Sequence, residues 1–134
     1  MKIGIIRCDT HSEDCAGWHC FPAMREKTGS FADYDTIELV GFDTCGGCGR
    51  GTPKNILAKA RQLTKQGAEV VHLGCCIVGD CPFYRKYYKA LTAEGITIVE
   101  NTHELPPPEM RKQIHARVEA REKEKERILK EHGF

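Results

Sequence analysis

The sequence predicts an α/β fold: an open, mainly parallel four-stranded sheet with flanking helices, of the Rossmann-like or flavodoxin-like kind, followed by a charged C-terminal helix. Three observations support this prediction. Short apolar runs alternate with segments whose apolar residues recur at helical spacing. Glycines punctuate the ends of the helical segments. Cysteines follow the apolar runs, where parallel strands would end at a common edge.

Four short apolar runs are the candidate strands. They cover residues 2–7, 37–42, 69–73 and 96–99. Each run is rich in aliphatic residues and too short for a typical helix, which favours strands buried on both faces. Strands that alternate with helices through right-handed crossovers form a parallel sheet.

Two segments between these runs have helical spacing of apolar residues, and turn signals mark their ends. Thr52-Pro53 and Cys81-Pro82 each fit an N-cap followed by proline at the first helical position. Gly67 and Gly95 fit the C-terminal stops. The apolar residues concerned are Ile56, Leu57, Ala60 and Leu63 in the first segment, and Phe83, Tyr84, Tyr87, Tyr88 and Leu91 in the second.

Residues 12–27 and 109–134 are the less regular parts of the pattern. Residues 12–27 could form a helix, but Pro22 would break it, so two short pieces are expected. Residues 109–134 carry eight Lys or Arg and six Glu, which predicts a solvated helix. We therefore expect an α/β domain over residues 1–108 and a charged tail that docks on the domain or on a second copy, forming a homodimer.

Length and charge exclude several classes of protein. A chain of 134 residues can bury a core without disulfide cross-links. The formal net charge is +1, and basic residues form no stripe, so no nucleic-acid interface is expected. No apolar run is long enough for a signal peptide or a membrane span, and we expect a cytoplasmic protein.

The cysteines carry the functional signal. In a reducing cytosol, clustered cysteine and histidine are more often metal ligands or catalytic groups than disulfides. The predicted strand ends bring six cysteines and one histidine to one edge of the sheet. The candidate metal ligands are Cys8, Cys45, Cys48, Cys75, Cys76, Cys81 and His103.

The spacing of these ligands leaves three chemistries open. Thiolates with imidazole suit zinc, which needs four donors, whereas thiolates alone also suit an iron–sulfur cluster. A CxxC pair next to a helix N-terminus could instead work as a thiol-dependent redox couple of Cys45 and Cys48. Sequence does not separate a structural ion from a catalytic one.

The other histidines and cysteines are assigned by their local pattern. His11, Cys15 and His19 would share one face if their segment is helical, while Cys15 and Cys20 could equally be core residues. His72 lies inside a strand and is expected to be a structural histidine. His115 and His132 belong to the polar tail, where no specific role is expected.

The segments DTCGGCGRG, CAGWHCF, VVHLGCC and CPF together resemble the CGGC domain family. The resemblance covers roughly residues 2–105 and leaves the charged tail outside. The family consists of small, mostly prokaryotic proteins rich in cysteine and histidine, and the resemblance implies a metal-binding role. It supports these motif positions without naming a metal or a reaction: Cys8, Cys15, Cys20, Cys45, Cys48, Cys75, Cys76, Cys81 and His103.

Overall fold

A computed structural model describes residues 1–48 and 53–133. Four parallel strands alternate with six α-helices and one 3₁₀ turn within these residues. In chain order they are β1 (Lys2–Arg7), α1 (Asp9–Ser12), α2 (Cys20–Glu26), the 3₁₀ turn Gly29–Phe31, β2 (Glu38–Thr44), α3 (Lys54–Lys65), β3 (Val70–Leu73), α4 (Cys75–Val78), α5 (Tyr84–Ala93), β4 (Ile98–Glu100) and α6 (Pro108–Glu131).

The four strands form one parallel sheet in the order β2-β1-β3-β4. This is the order of the first four strands in a flavodoxin-like sheet, not the 3-2-1-4 order of a Rossmann sheet. The chain leaves β1 toward one side for β2 and returns to its other side for β3. The carboxyl ends of β1 and β3 therefore flank the switch point, where ligands bind in open α/β sheets.

Each face of the sheet carries its own apolar core, because side chains alternate along β1. Ile3 and Ile5 pack against Phe31 and the α2 side. Ile6 faces the opposite way, toward α3 and α5. The predicted sheet with helices on both faces is thus confirmed.

Helix α3 approaches the sheet closely because β1 and β2 carry glycine beneath it. A Cβ atom on Gly4 would lie 2.8 Å from Cδ1 of Leu63, and one on Gly41 would lie 2.3 Å from its Cδ2. The buried Leu63 side chain fills the space above both glycines. This packing fixes the position of α3 over β1 and β2.

The predicted element boundaries differ from the structure at two prolines. Residues 12–27 do contain two separate helical pieces, but Pro22 lies in the first turn of α2 and not at the break. Proline is tolerated there because an amide in the first turn has no acceptor within the helix. The prediction that a helix starts at Cys81-Pro82 is wrong, since α5 begins at Tyr84 with Phe83 as its N-cap. Thr52 lies outside the described residues.

The charged tail forms the long helix α6, which contacts the domain through polar side chains. Arg111 pairs with Asp80, while Arg121 and Lys125 pair with Glu13 at 2.6 Å each. No residue of α6 is buried. Dimer formation through α6, and the division of the chain at residue 108, stay predictions.

Within residues 1–48 and 53–133, no helix combines the length and the apolar character that crossing a bilayer requires.

Candidate metal site at the carboxyl edge of the sheet

The ends of three neighbouring strands bring the cysteine segments together. The amide of Cys45, after β2, donates to the carbonyl of Arg7 at the end of β1 (2.8 Å). On the other side of β1, the amide of Gly74 donates to the carbonyl of Ile6 (2.8 Å). These two bonds extend the sheet pairing by one residue and place Cys8, Cys45 and Cys75 at its carboxyl edge.

We call the six thiols at this edge the thiol cluster. They follow β1, β2 and β3, and all eight cysteines of the chain are free of disulfides. The members of the thiol cluster are Cys8, Cys45, Cys48, Cys75, Cys76 and Cys81.

Cys8 lies in the middle of the thiol cluster. Its backbone amide donates to the Sγ atom of Cys76 at 3.1 Å. The next amide, of Asp9, donates to the Sγ atom of Cys45 at 3.4 Å. Two consecutive amides of one chain segment thus point at sulfurs from two other strand ends, and such N–H donors favour the thiolate form.

An interaction between the side chains of Cys8 and Cys45 shifts the pKa values of the two thiols in opposite directions. The hydrogen bond from the Cys8 thiol lowers the pKa of Cys45, and amides of Asp9 and Gly47 lower it further against the effect of burial. The same bond, together with burial, raises the pKa of Cys8 well above its ordinary value. Within the pair, Cys8 therefore holds a proton more tightly than Cys45 does.

Burial keeps other members of the thiol cluster protonated when no cation is bound. Burial raises the pKa of Cys76 to about 12. Burial also raises the pKa of Cys81, and the charges of Cys48 and Cys45 raise it further, which places these three thiols near one another. Cys48 is exposed.

A second arrangement of polar groups surrounds Cys75, between β3 and the chain after β4. Burial alone would raise the pKa of Cys75, but hydrogen bonding with His103 and Thr102 outweighs burial and lowers it. The protonated Cys75 thiol donates to the carbonyl oxygen of His103 at 2.9 Å. Burial opposes a charge on His103, yet the Cys75 thiolate raises the pKa of that imidazole. Cys75 and His103 thus stabilise each other's charged forms.

Cys20 and Cys15 lie beside the thiol cluster. The Sγ atom of Cys20 is buried and shares a 3.0 Å hydrogen bond with Oγ1 of Thr102. The Sγ atom of Cys15 accepts a hydrogen bond from the amide of Gly17 at 3.4 Å. Both cysteines are close enough for their charges to raise the pKa of Cys76.

The helix that would align His11, Cys15 and His19 does not form, because α1 ends at Ser12. His19 instead lies beside His103, with ring centroids 5.1 Å apart. Nδ1 of His11 contacts Sγ of Cys8 at 3.3 Å. His72 is fully buried and has partners at both ring nitrogens, as expected of a structural histidine: Nδ1 contacts the Asn101 carbonyl oxygen and Nε2 the Tyr34 hydroxyl.

The tightest group of metal-binding atoms is not made of thiols. Within residues 1–48 and 53–133, one set of three such side chains has its donor atoms all within 4.8 Å of one another: His11, Asp80 and His115. His115, for which the sequence predicted no specific role, thus lies close to Asp80 and His11. Sequence reasoning missed Asp80 and His115 because the docking of α6 brings them together, and no spacing or periodicity encodes that contact.

The fold and the cysteine-lined edge define an α/β domain with a thiol-rich site at its switch point. Residues 2–103 match the CGGC domain family, so the chain belongs to that family. Metal binding is the role expected of this family, on account of its many cysteines.

One relative extends the comparison to much of the chain. The uncharacterized protein MJ0582 of Methanocaldococcus jannaschii is 40% identical over an alignment of 117 residues that covers 78% of this chain and 88% of the relative. No solved structure matches the chain.

Proposed function

We propose that the protein binds a metal ion, zinc, through thiolates at the carboxyl edge of the sheet. Cys8, Cys45 and Cys76 are the core ligands in this proposal. Cys48, Cys75, Cys81 and His103 supply the remaining donors. The proposal places the protein in the cytoplasm, with a metal ion as its ligand and with neither nucleic acid nor a membrane as a partner.

The hydrogen bonding around Cys8 carries the proposal. The amides of Cys8 and Asp9 donate to the sulfurs of Cys76 and Cys45, so one short segment orients two thiols from different strands beside a third. Metal-bound thiolates characteristically accept bonds of this kind, which orient them and stabilise their charge. A disulfide would need none of these donors.

The acidities of the thiols fit an ion that binds with loss of protons. Cys45 has a lowered pKa, whereas Cys8 and Cys76 have raised ones. A divalent cation would enter at the Cys45 thiolate and displace the protons of the other two thiols. Binding would draw the sulfurs closer to one another, because metal binding and local folding are coupled.

Elemental analysis of protein purified without oxygen tests this proposal. The wild type is expected to retain zinc, and Cys8→Ser and Cys45→Ser are expected to retain less of it. Cys15→Ser is the matched control, because its sulfur accepts a hydrogen bond from a nearby amide and is not one of the proposed ligands. Equal zinc content in all four proteins would refute the thiolate site. A visible absorption band, together with iron and sulfide in the analysis, would show that the bound group is an iron–sulfur cluster and not zinc.

A thiol-dependent redox function is the second candidate, and the lowered pKa of Cys45 favours it. The predicted couple is Cys45 with the exposed Cys48. In that reaction the two thiols lose two electrons and two protons to a disulfide or peroxide oxidant and form one S–S bond. Mass spectrometry after mild oxidation tests it. A Cys45–Cys48 disulfide in metal-free protein would support it, and reduced thiols would exclude it.

A further inference from the structure

We propose a second metal site, separate from the thiol cluster, in which His11, Asp80 and His115 bind a divalent transition-metal ion of the zinc type. We call it the His11 site. Two imidazoles and one carboxylate are donors that zinc accepts, with open positions left for water or a small ligand.

The spacing of the three donors matches the needs of such an ion. Nε2 of His11 lies 3.7 Å from Oδ2 of Asp80, and Nε2 of His115 lies 3.1 Å from Oδ1. All three donor atoms lie within 4.8 Å of one another. Ligands about 2.0–2.1 Å from a tetrahedral zinc ion are themselves about 3.4 Å apart. The two distances to the Asp80 carboxylate, 3.1 Å and 3.7 Å, lie on either side of this ligand–ligand distance.

His11 supplies an independent observation that points to a ligand. Its Nε2 atom is buried and has no hydrogen-bond partner among residues 1–48 and 53–133, because 3.7 Å to Asp80 is too long for a hydrogen bond. A buried polar atom without a partner destabilises the folded protein unless something satisfies it. A metal ion between Nε2 and the carboxylate would do so. Meanwhile Nδ1 contacts Sγ of Cys8, the kind of outer contact that orients a metal-bound imidazole.

Neighbouring residues hold the Asp80 side chain in place and leave one of its carboxylate oxygens available to an ion. Arg111 donates to Oδ1 of Asp80 at 3.0 Å and to the carbonyl of Gly79 at 2.9 Å. Its guanidinium therefore holds one carboxylate oxygen, while Oδ2 faces His11. Ligating carboxylates are commonly supported by such hydrogen bonds.

The His11 site is open to solvent on the α6 side. A cavity of about 370 Å³ is lined by Asp80 and His115, with Lys112 and Glu119 also at its wall. An ion can enter through this opening, and water can occupy the coordination positions that the protein leaves free. Because His115 lies beyond residue 103, this site is not part of the segment that matches the family.

Counting bound ions in His115→Ala tests the proposal. His115 is half exposed, so we expect the variant to fold, and far-ultraviolet circular dichroism checks this. Gln113→Ala is the matched control, an exposed position on the same helix. Zn²⁺ is titrated into full-length reduced protein by calorimetry. Co²⁺ absorption reports separately on thiolate ligands, through sulfur-to-metal charge transfer. Asp80→Asn is the second variant.

We expect both His115→Ala and Asp80→Asn to bind one zinc ion fewer than the wild type, or to bind it at least about tenfold more weakly, because even outer-shell partners contribute that much. Gln113→Ala should match the wild type, and the thiolate band should be unchanged in all four proteins. Equal stoichiometry and affinity in all four would overturn the proposal, as would a wild type that binds no ion. Loss of one ion in His115→Ala without any thiolate band in the wild type would support the His11 site and refute the thiolate site.

Discussion

The close contact between α3 and β1 predicts a specific compensation between two mutations. Gly4→Ala places a Cβ atom 2.8 Å from Cδ1 and 3.1 Å from Cβ of Leu63. Gly4 does not have positive φ, so the substitution adds no backbone strain and its cost is steric. Leu63→Ala removes Cδ1, the atom nearest to the new Cβ, together with Cδ2, and leaves only the 3.1 Å contact with Cβ of residue 63. The double variant should therefore lose less stability than the two single losses combined.

The structure sets the size of each effect. Leu63 is buried above two glycines that cannot fill the space it leaves, so Leu63→Ala should cost about 3 kcal/mol. The overpacked Gly4→Ala should cost about 1–3 kcal/mol. In the double variant the coupling should recover at least about 1 kcal/mol. Any effect of Gly4→Ala on the unfolded chain is the same in both backgrounds and cancels.

Urea unfolding of the four proteins measures this coupling, with about 4 °C in melting temperature for each kcal/mol as a cross-check. The matched control pairs Gly4→Ala with Leu91→Ala, a fully buried leucine in the same core whose atoms are not among those nearest to the new Cβ. That pair should be additive. Additivity of Gly4→Ala with Leu63→Ala as well would refute the contact.

Three further predictions concern single interactions. Cys75→Ser should lower the pKa of His103, since the Cys75 thiolate raises it against burial, and a histidine NMR titration that gives the same pKa in both proteins would contradict this. Burial lowers the pKa of His72, so the unfolded state binds a proton that the folded state does not, and the free energy of unfolding should fall as pH drops below about 6.5. His72→Gln should make the free energy of unfolding less dependent on pH, as measured by urea titrations at several pH values. Glu13→Ala should speed tryptic cleavage of α6, because Glu13 pairs with both Arg121 and Lys125; an unchanged cleavage rate would mean that these exposed pairs do not hold the helix.

Most of the sheet could be predicted from the sequence because its signals are local. The apolar run at residues 2–7 coincides with β1, and Gly67 and Gly95 have the positive φ of helix stops. The second run continues two residues beyond the prediction, to Thr44. Those residues, Asp43 and Thr44, have polar side chains, so a prediction based on runs of apolar residues ends the strand before them.

The thiols at the carboxyl edge could be predicted for a topological reason, since parallel strands end together. Their individual partners could not be predicted. The pairing of Cys8 with Cys45 depends on strand register, in which Arg7 lies opposite Thr44. The contact between Asp80 and His115 depends on how a helix of 24 residues docks by charged side chains. Surface ion pairs of this kind are weak and leave no periodic pattern.

X-ray absorption at the zinc edge tests the central claim most directly. His115→Ala protein loaded with one equivalent of zinc isolates the thiol cluster from the His11 site. We predict sulfur neighbours at about 2.3 Å from the ion, as thiolate ligands require. A spectrum fitted entirely by nitrogen and oxygen neighbours at about 2.0–2.1 Å would contradict the proposal that the cysteines at this edge hold the metal.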